Sequence, residues 1–331
     1  MFSWVAIDRF AERERAKDAA FRKQSAGKVL RSDAKELTDD ELLAKLRSFG
    51  IELDRPSLER LCREALSAEE IATPLLDRRT FHGRQAEMGS DWIWVCLTAL
   101  WQRWFPDQPC FELLDDKMQA GYDLLGPGGA TAACRIWLEA WRDVLGLFDK
   151  GGLPSIHAFD ERFRGSQSFF NWIQDLEDEL WNAGLEDRQF LTARIAVCEE
   201  GLRRFPAEDD LMTENRRRAV GESYFELGET DKAEALYRDW LQADPRWGWG
   251  WIGLVGWLRI HAHQVTGLGA SRTDSARRAC RRASQGSPRY ARAAGRCLRR
   301  AGTQRRGDRN PQGGETKRRR HQSHQTKDRA Q

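Results

Sequence analysis

The chain has 331 residues and a formal net charge of +3, and its 14 Trp and 15 Phe contrast with 10 Pro and 4 Tyr. That length can bury a sizeable core in one or two domains, and the residue balance favours packed helices over strands and turns. No apolar run approaches the roughly 18 residues of a membrane-spanning helix, and charge interrupts the first residues too early for a signal peptide. We therefore expect a cytoplasmic protein that does not act in a membrane.

Seven cysteines are scattered along the chain at long spacings, with no CxxC pair among them. An odd number at such spacings fits reduced thiols better than a disulfide framework or a zinc site. We therefore predict that the chain holds no metal and no cofactor. The cysteines are Cys62, Cys96, Cys110, Cys134, Cys198, Cys280 and Cys297.

Charge divides the sequence sharply near Trp257, which is also the last of the tryptophans. Residues 258–331 contain 20 Lys and Arg against 4 Asp and Glu, a net charge of +16. Residues 1–257 contain 34 Lys and Arg against 47 Asp and Glu, a net charge of −13. The two regions are therefore different kinds of polypeptide.

Residues 1–36 predict an N-terminal helical arm with a weak apolar face, which we expect to be solvated or loosely docked. Residues 37–90 predict a region of helical hairpins. A capping box at Thr38 and Glu41 starts its first helix, and Gly50 ends that helix in a left-handed conformation. The outline resembles small helical DNA-binding modules, but the pair lacks their basic recognition face, so a plain helical hairpin is preferred.

The most regular stretch is Ala219–Pro245, which predicts two helices joined by a tight turn with the spacing of a tetratricopeptide unit. Small residues let the two helices approach closely, aromatic residues fill the space beside them, a glycine makes the turn and a proline ends the pair. The next unit begins 34 residues after Arg217. The defining positions, including the first of that next unit, are Gly221, Tyr224, Gly228, Ala233, Tyr237, Pro245 and Trp251.

A degenerate copy of this unit precedes it in the chain. Gly121 stands twelve residues before Ala133, and Trp137 follows that alanine by four. The regular unit has the same two intervals. We therefore expect a second helical hairpin in which these three residues take the same places.

The array of tetratricopeptide-like repeats is predicted to occupy residues 91–257 and to stop in the middle of a helix. The unit that begins at Trp251 continues to Leu254 and then loses its pattern. We therefore expect an array that lacks its capping helix and exposes apolar surface at Leu254 and Trp257.

Residues 258–331 predict a disordered, Arg-rich tail, because the segment lacks the apolar periodicity needed to offset its ordering entropy. One interpretation is a basic arm that binds nucleic acid or an acidic partner, since clustered arginines neutralise phosphates. The other is out-of-frame translation of a GC-rich gene, in which Arg and Ala codons arise by chance. The abrupt loss of the repeat and of tryptophan favours the second interpretation.

The stretch from Leu37 to Trp251 resembles bacterial tetratricopeptide-like proteins related to those with a SEC-C metal-binding motif. The similarity lies in DWIWVCLTALWQRWFPD, MQAGYDLL and GESYFELGETDKAEALYRDWLQADPRWGWGWIG. The resemblance implies an all-α fold, an α-solenoid of tetratricopeptide-like helical hairpins, and adds little about activity. The Cys-rich zinc hook of that group, CPCGSGKKxxxCC, is absent, so no metal ligands are inferred from the family.

The sequence gives little support for an enzyme. His82 and His157 are the histidines outside the tail, and neither lies in a catalytic pattern. The acidic groups at Asp115–Asp116 and at Glu177–Glu179 could bind metal, but solvated helix faces explain them more simply. No phosphate-binding loop occurs, because GPGGAT lacks the Lys that would have to follow it. The chain is therefore predicted not to be an enzyme.

The favoured function is a non-catalytic scaffold that binds a peptide or helix of a partner protein in a concave face. Exposed positions on the first helix of each pair would make the contacts, and we predict Arg217, Glu222 and Glu226 among them. The acidic balance of residues 1–257 would suit a basic partner. An alternative is a nucleic-acid-associated protein that uses the Arg-rich tail, and a helical enzyme of unrecognised type ranks last.

Overall fold

A computed structural model describes residues 4–18, 29–77, 84–206 and 210–262. These residues form helices joined by short connections, and no strand occurs among them, so the predicted all-helical fold is confirmed. The predicted disordered tail lies outside the described residues, apart from the end of the last helix. The chain divides into two units, residues 1–239 and 240–331.

Six helices of the described residues form the N-terminal part of the first unit. The predicted capping box is confirmed: Oγ1 of Thr38 accepts from the Glu41 amide at 3.3 Å, and Oε2 of Glu41 accepts from the Thr38 amide at 2.7 Å. Gly50 follows in the left-handed region with a φ of 67°, as predicted. The helices are α1 Trp4–Lys17, α2 Arg31–Ala34, α3 Asp39–Ser48, α4 Arg55–Glu64, α5 Ala68–Asp77 and α6 Arg84–Trp104.

The helix α6 is the centre of the N-terminal core. Its tryptophans and leucines surround the helix with apolar surface, which predicts a helix buried on most sides. Helices α2, α3 and α5 contact it. Leu42 and Leu46 of α3 and Leu58 of α4 are buried in the same cluster. The buried residues of α6 include Ile93, Trp94, Val95, Cys96, Leu97, Leu100 and Trp101.

The helix α1 is docked on this core through one face. Its Val5, Asp8 and Ala11 are buried, and the Trp4 ring meets the edge of the Trp94 ring in α6 with centroids 5.9 Å apart. Of the two states expected for the arm, the structure therefore shows the docked one.

The middle part of the chain is a series of helices around an aromatic core. All five helices contribute to it, and the ring centroids lie 4.7 Å apart for Phe148 and Phe159 and 5.0 Å apart for Phe159 and Phe169. In chain order the helices are α7 Phe111–Leu124, α8 Ala130–Gly151, α9 Ile156–Phe163, α10 Phe169–Glu186 and α11 Gln189–Arg204.

The short helix α9 differs from the sequence expectation, because KGGLPS indicates only a break. That break is real, since Gly152 ends α8 in the left-handed region with a φ of 56°. Ser155 then starts α9 by accepting from the Ala158 amide at 3.1 Å, and Phe159 and Phe163 enter the aromatic core. A capping serine before apolar residues at helical spacing is the signal that identifies this helix.

The degenerate copy of the repeat forms a close contact between helices. A Cβ atom at Gly121 of α7 would lie 1.9 Å from Nε1 of Trp137 in α8, far inside the separation that packed atoms reach. The Trp137 indole is fully buried and donates to the Met118 carbonyl at 2.9 Å. Glycine therefore lets the two helices approach over this ring.

The most regular predicted unit forms two helices, α12 Asp210–Glu226 and α13 Thr230–Ala243. They meet where a Cβ atom at Gly221 would lie 2.4 Å from Cε2 of Tyr237. The Tyr237 ring and Ala233 are fully buried, and Tyr224 is buried as well. Gly228 turns the chain between the helices with a φ of 83°. These residues therefore make the turn and the close contact of the hairpin.

The described part of the second unit contains the last residues of α13 and the helix α14 Gly248–Ala262. Pro245 lies between these helices, and its carbonyl accepts from Nε1 of Trp251 at 3.0 Å. Leu254 is 3% exposed, so the expectation that it is an exposed residue is wrong, whereas Trp257 is half-buried. Leu254 is therefore an interior residue.

Replacing either close-contact glycine tests the helix packing. The added methyl group of Gly121→Ala or Gly221→Ala would overlap a buried ring, so each variant should lose about 1–3 kcal/mol of unfolding free energy in urea denaturation. The cost of the overlap should outweigh the roughly 1 kcal/mol by which alanine stabilises a helix relative to glycine, so each variant should be less stable than the wild type. Gly146→Ala in α8 is the matched helical control, since the nearest atom to a Cβ atom there is Cγ of Pro109 at 3.7 Å, an ordinary contact. Equal stabilities of the three variants would contradict the contact.

Candidate protein-interaction surface

The three residues predicted to contact a partner, Arg217, Glu222 and Glu226, lie on α12 and are half-buried. Glu222 is engaged within the protein, because its Oε2 lies 3.7 Å from Nη1 of Arg194 in α11. Its Oε1 lies 3.5 Å from Nε of Arg218. Glu222 therefore serves a contact between helices, and Arg217 and Glu226 are the two that stay available at the surface of α12.

Arg194 is the centre of a buried ion cluster between α10, α11 and α12. Its side chain is 4% exposed, and its Nη2 lies 3.5 Å from Oε1 of Glu177 in α10. Its Nη1 donates to Oγ of Ser223 and to the carbonyl of Ala219, both at 3.3 Å. Its Cζ lies over the Trp181 ring, 5.0 Å from the centroid. One guanidinium therefore ties three helices together.

The carboxylates of this cluster, Glu177 and Glu222, are 13% and 23% exposed, and their partial burial has an energetic cost. Burial raises the pKa of Glu177, and the charge of Arg194 offsets only part of that effect. Burial likewise raises the pKa of Glu222 against the opposing charges of Arg218 and Arg194. The expectation of a solvated helix face is therefore wrong for Glu177. Because buried ion pairs add little stability, we interpret the cluster as a device that fixes how these helices align.

Glu112 is a buried carboxylate at the start of α7 that caps another helix. Its Oε2 accepts from the Ala68 amide at 3.1 Å and its Oε1 from the Glu69 amide at 3.0 Å, which satisfies the first turn of α5. The same Oε1 accepts from Nε1 of Trp94 in α6 at 3.0 Å. This side chain therefore joins the N-terminal core to α7.

Asp115 and Asp116 follow one turn later on α7. Asp115 is fully buried and accepts from the Ser166 amide at 2.6 Å and from Nε of Arg9 at 2.8 Å, so the predicted solvated face is wrong for this residue. Asp116 accepts from Nη1 and Nη2 of Arg31 at 3.0 and 2.8 Å. Among the described residues, no group of three or more side chains has the arrangement of a metal site.

An open cleft of about 400 Å³ lies between α4 and α5. One of its two carboxylates, Glu70, is already engaged by Nη2 of Arg162 at 2.5 Å and by the Leu66 amide at 2.7 Å. The cleft thus offers an apolar patch without a converging set of free polar groups. It is lined by Leu61, Glu64, Ala65, Glu70, Ile71, Pro74 and Leu75.

The cysteines of the described chain are buried free thiols, as expected for reduced cysteines. Burial raises the pKa of Cys62, Cys96 and Cys134 to about 12, so these thiols stay protonated at neutral pH and are poor nucleophiles. His157 is exposed on α9. His82 and the two cysteines of the tail lie outside the described residues.

Comparisons with known proteins give no relative for this chain. No protein-family model matches it, and neither a curated protein nor a solved structure does. Within the described ranges, no helix is long and apolar enough to cross a membrane. The candidate surface is therefore interpreted from its own geometry.

The raised pKa of Glu177 predicts how stability changes with pH. A carboxyl whose pKa in the folded chain lies above its ordinary value of 4.5 favours folding most when protonated, so its contribution falls as pH rises from 4.5 through the raised pKa. Glu177→Gln is neutral at every pH. As the pH rises through this window, the unfolding free energy of Glu177→Gln should therefore increase relative to that of the wild type by up to about 1.4 kcal/mol per pH unit.

Urea denaturation at several pH values measures this difference. Glu139→Gln, at an exposed position of α8, is the matched control for the loss of one carboxylate. An unfolding free energy of the wild type that increases relative to that of Glu177→Gln as the pH rises would contradict the effect of burial on this group.

Proposed function

We propose that this protein is a non-catalytic scaffold that binds a peptide or helix of a partner protein through a tetratricopeptide-like α-solenoid. The observation that carries the proposal is a glycine–aromatic contact that recurs in two hairpins. In each hairpin the glycine precedes its ring by sixteen residues: Gly121 faces Trp137, and Gly221 faces Tyr237. A repeated unit with one packing rule is typical of helical-repeat proteins, which bind ligands on extended faces.

The order of helix contacts supports a stack of hairpins. Along the chain α7 contacts α8, α8 contacts α10, α10 contacts α11, and α11 contacts α12. From α7 to α12 each long helix thus packs against the next long helix in sequence, with α9 as a short insertion. Solenoids bury a continuous core in the same manner.

In this proposal the partner lies on the first helices of the pairs, α7, α10 and α12. On α10, Asp178, Asn182 and Leu185 recur at the spacing of one helix face and are exposed, Leu185 by 60%. On α12, Arg217 and Glu226 are partly exposed. An exposed leucine beside acidic and amide side chains suits a partner segment with apolar and basic residues.

A cytoplasmic location and a relation to SEC-C-associated tetratricopeptide-like proteins complete the proposal. The location is supported by the buried free thiols, which suit a reducing compartment. The relation rests on the resemblance of the sequence, without the zinc hook of that group. No metal or cofactor is part of the proposed function.

The scaffold function is tested with peptides selected from a random phage-displayed library on the immobilised full chain. Selected peptides should protect the amides of α10 and α12 from hydrogen exchange. Asp178→Lys should weaken their binding by about tenfold or more, because a basic segment would meet a repelling charge. Glu139→Lys, the same change at an exposed position of α8, should leave the affinity nearly unchanged. Peptides that bind both variants equally would contradict the proposed face.

The rival function is nucleic-acid binding through residues 258–331, and it predicts a different result. Binding through neutralised phosphates weakens steeply as salt rises. The full chain would then retain a short DNA or RNA duplex at physiological salt, and a chain ending at Trp257 would lose it. That pair of results would favour the rival function over the scaffold.

A further inference from the structure

The helix α1 is held against α7 by two arginines. Arg9 donates from Nε to Oδ2 of Asp115 at 2.8 Å and from Nη2 to Oδ1 of Asp116 at 2.5 Å. One turn further along α1, Nη2 of Arg13 donates to Oε1 of Gln119 at 2.6 Å. The three acceptors, Asp115, Asp116 and Gln119, form an acceptor row on one face of α7. Arginines four residues apart on α1 therefore match this row.

The apolar part of the α1 contact is small. Val5 and Ala11 are buried and Trp4 is half-buried, whereas Ile7 and Phe10 are 40% and 60% exposed. By comparison, α8 buries eight apolar side chains. The pair of Arg9 with Asp116, whose side chain is 39% exposed, contributes little and is screened by salt. The pair of Arg9 with the buried Asp115 shares that carboxylate with Ser166. The helix α1 is therefore held more weakly than the helices of the core.

The rest of the protein keeps partners for the two carboxylates of the acceptor row when α1 leaves. Asp115 retains the amide and Oγ of Ser166 at 2.6 and 3.1 Å. Asp116 retains Nη1 and Nη2 of Arg31 at 3.0 and 2.8 Å. Departure of α1 therefore leaves neither carboxylate of the acceptor row unpaired, which avoids the usual penalty there. Glu69 of α5, whose Oε2 accepts from the Trp4 amide at 3.1 Å, would exchange this donor for water. Asp8, whose pKa burial raises despite its pairing with Arg31, would regain water.

We propose that α1 is a displaceable helix that covers a binding face for a partner helix bearing arginines four residues apart. The proposal rests on the scaffold function and names its partner by chemistry: a basic helix whose arginines take the places of Arg9 and Arg13 at the acceptor row. The net charge of −13 over residues 1–257 favours the approach of such a partner. The docked α1 shows that a helix of this kind fits the face.

A fluorescently labelled peptide with the sequence of residues 4–18 serves as the partner helix in the test. Anisotropy at about 50 mM salt measures its binding to the full-length wild type and to a full-length chain with Arg9→Glu and Arg13→Glu, here called the opened chain. The wild type should bind weakly, because its own α1 competes at a high effective concentration. The opened chain should bind about tenfold more tightly or better, and the binding should weaken at about 500 mM salt.

Two controls isolate the role of the arginines. A peptide with the same two Arg→Glu changes should fail to bind the opened chain. A chain with Arg135→Glu and Arg142→Glu, both at exposed positions of α8, should behave as the wild type. Hydrogen exchange gives a readout that needs no variant: between about 50 and 500 mM salt, α1 amides should lose protection while those of α6 and α7 keep it.

Equal peptide affinities for the wild type and the opened chain would overturn the proposal. So would α1 amides that are as protected as those of α7 at both salt concentrations. Dimers of the wild type in sedimentation, absent from the opened chain, would assign the face to a second copy and overturn the claim of a different partner. The two proposals can fail separately. If α1 is not displaced but library-selected peptides still protect α10 and α12, only the displaceable helix is overturned. If α1 is displaced but those peptides do not protect α10 and α12, only the face on these two helices is overturned.

Discussion

The close approach of paired helices over a buried aromatic ring is the constraint on which the other contacts depend. Trp137 and Tyr237 each occupy the space that a side chain at Gly121 or Gly221 would need. Because each ring occupies this space, the two helices lie close enough for their other apolar side chains to pack together. The same spacing of glycine and ring occurs in both helix pairs.

Polar groups at the joints between helices then fix how the pairs align. Glu112 connects α5, α6 and α7 through two backbone amides and an indole. Arg194 connects α10, α11 and α12 through Glu177 and Ser223. Because each buried charge has to meet its partners, a shift of one helix would leave a group unpaired. These contacts therefore fix the relative positions of the helices that they join.

Spacing within one hairpin could be predicted from the sequence, because the glycine, alanine and aromatic positions lie close together along the chain. Contacts between distant segments could not. Asp115 belongs to a stretch that resembles a solvated acidic face, and it becomes a buried acceptor because Arg9 and Ser166, both far from it along the chain, donate to it. Arg194 lies beside the apolar stripe of α11, so no local pattern reveals its role. The sequence likewise predicts Glu222 as a surface contact, whereas its carboxylate belongs to the Arg194 cluster.

A double-mutant cycle on Gly121 and Trp137 measures the central constraint most directly. If overlap with the indole is what destabilises Gly121→Ala, the same change in a Trp137→Leu background should cost at least about 1 kcal/mol less, because the smaller side chain leaves room for the added methyl group. Urea denaturation of the wild type, both single variants and the double variant gives the coupling. An equal cost of Gly121→Ala in both backgrounds would show that the two helices do not meet over this ring.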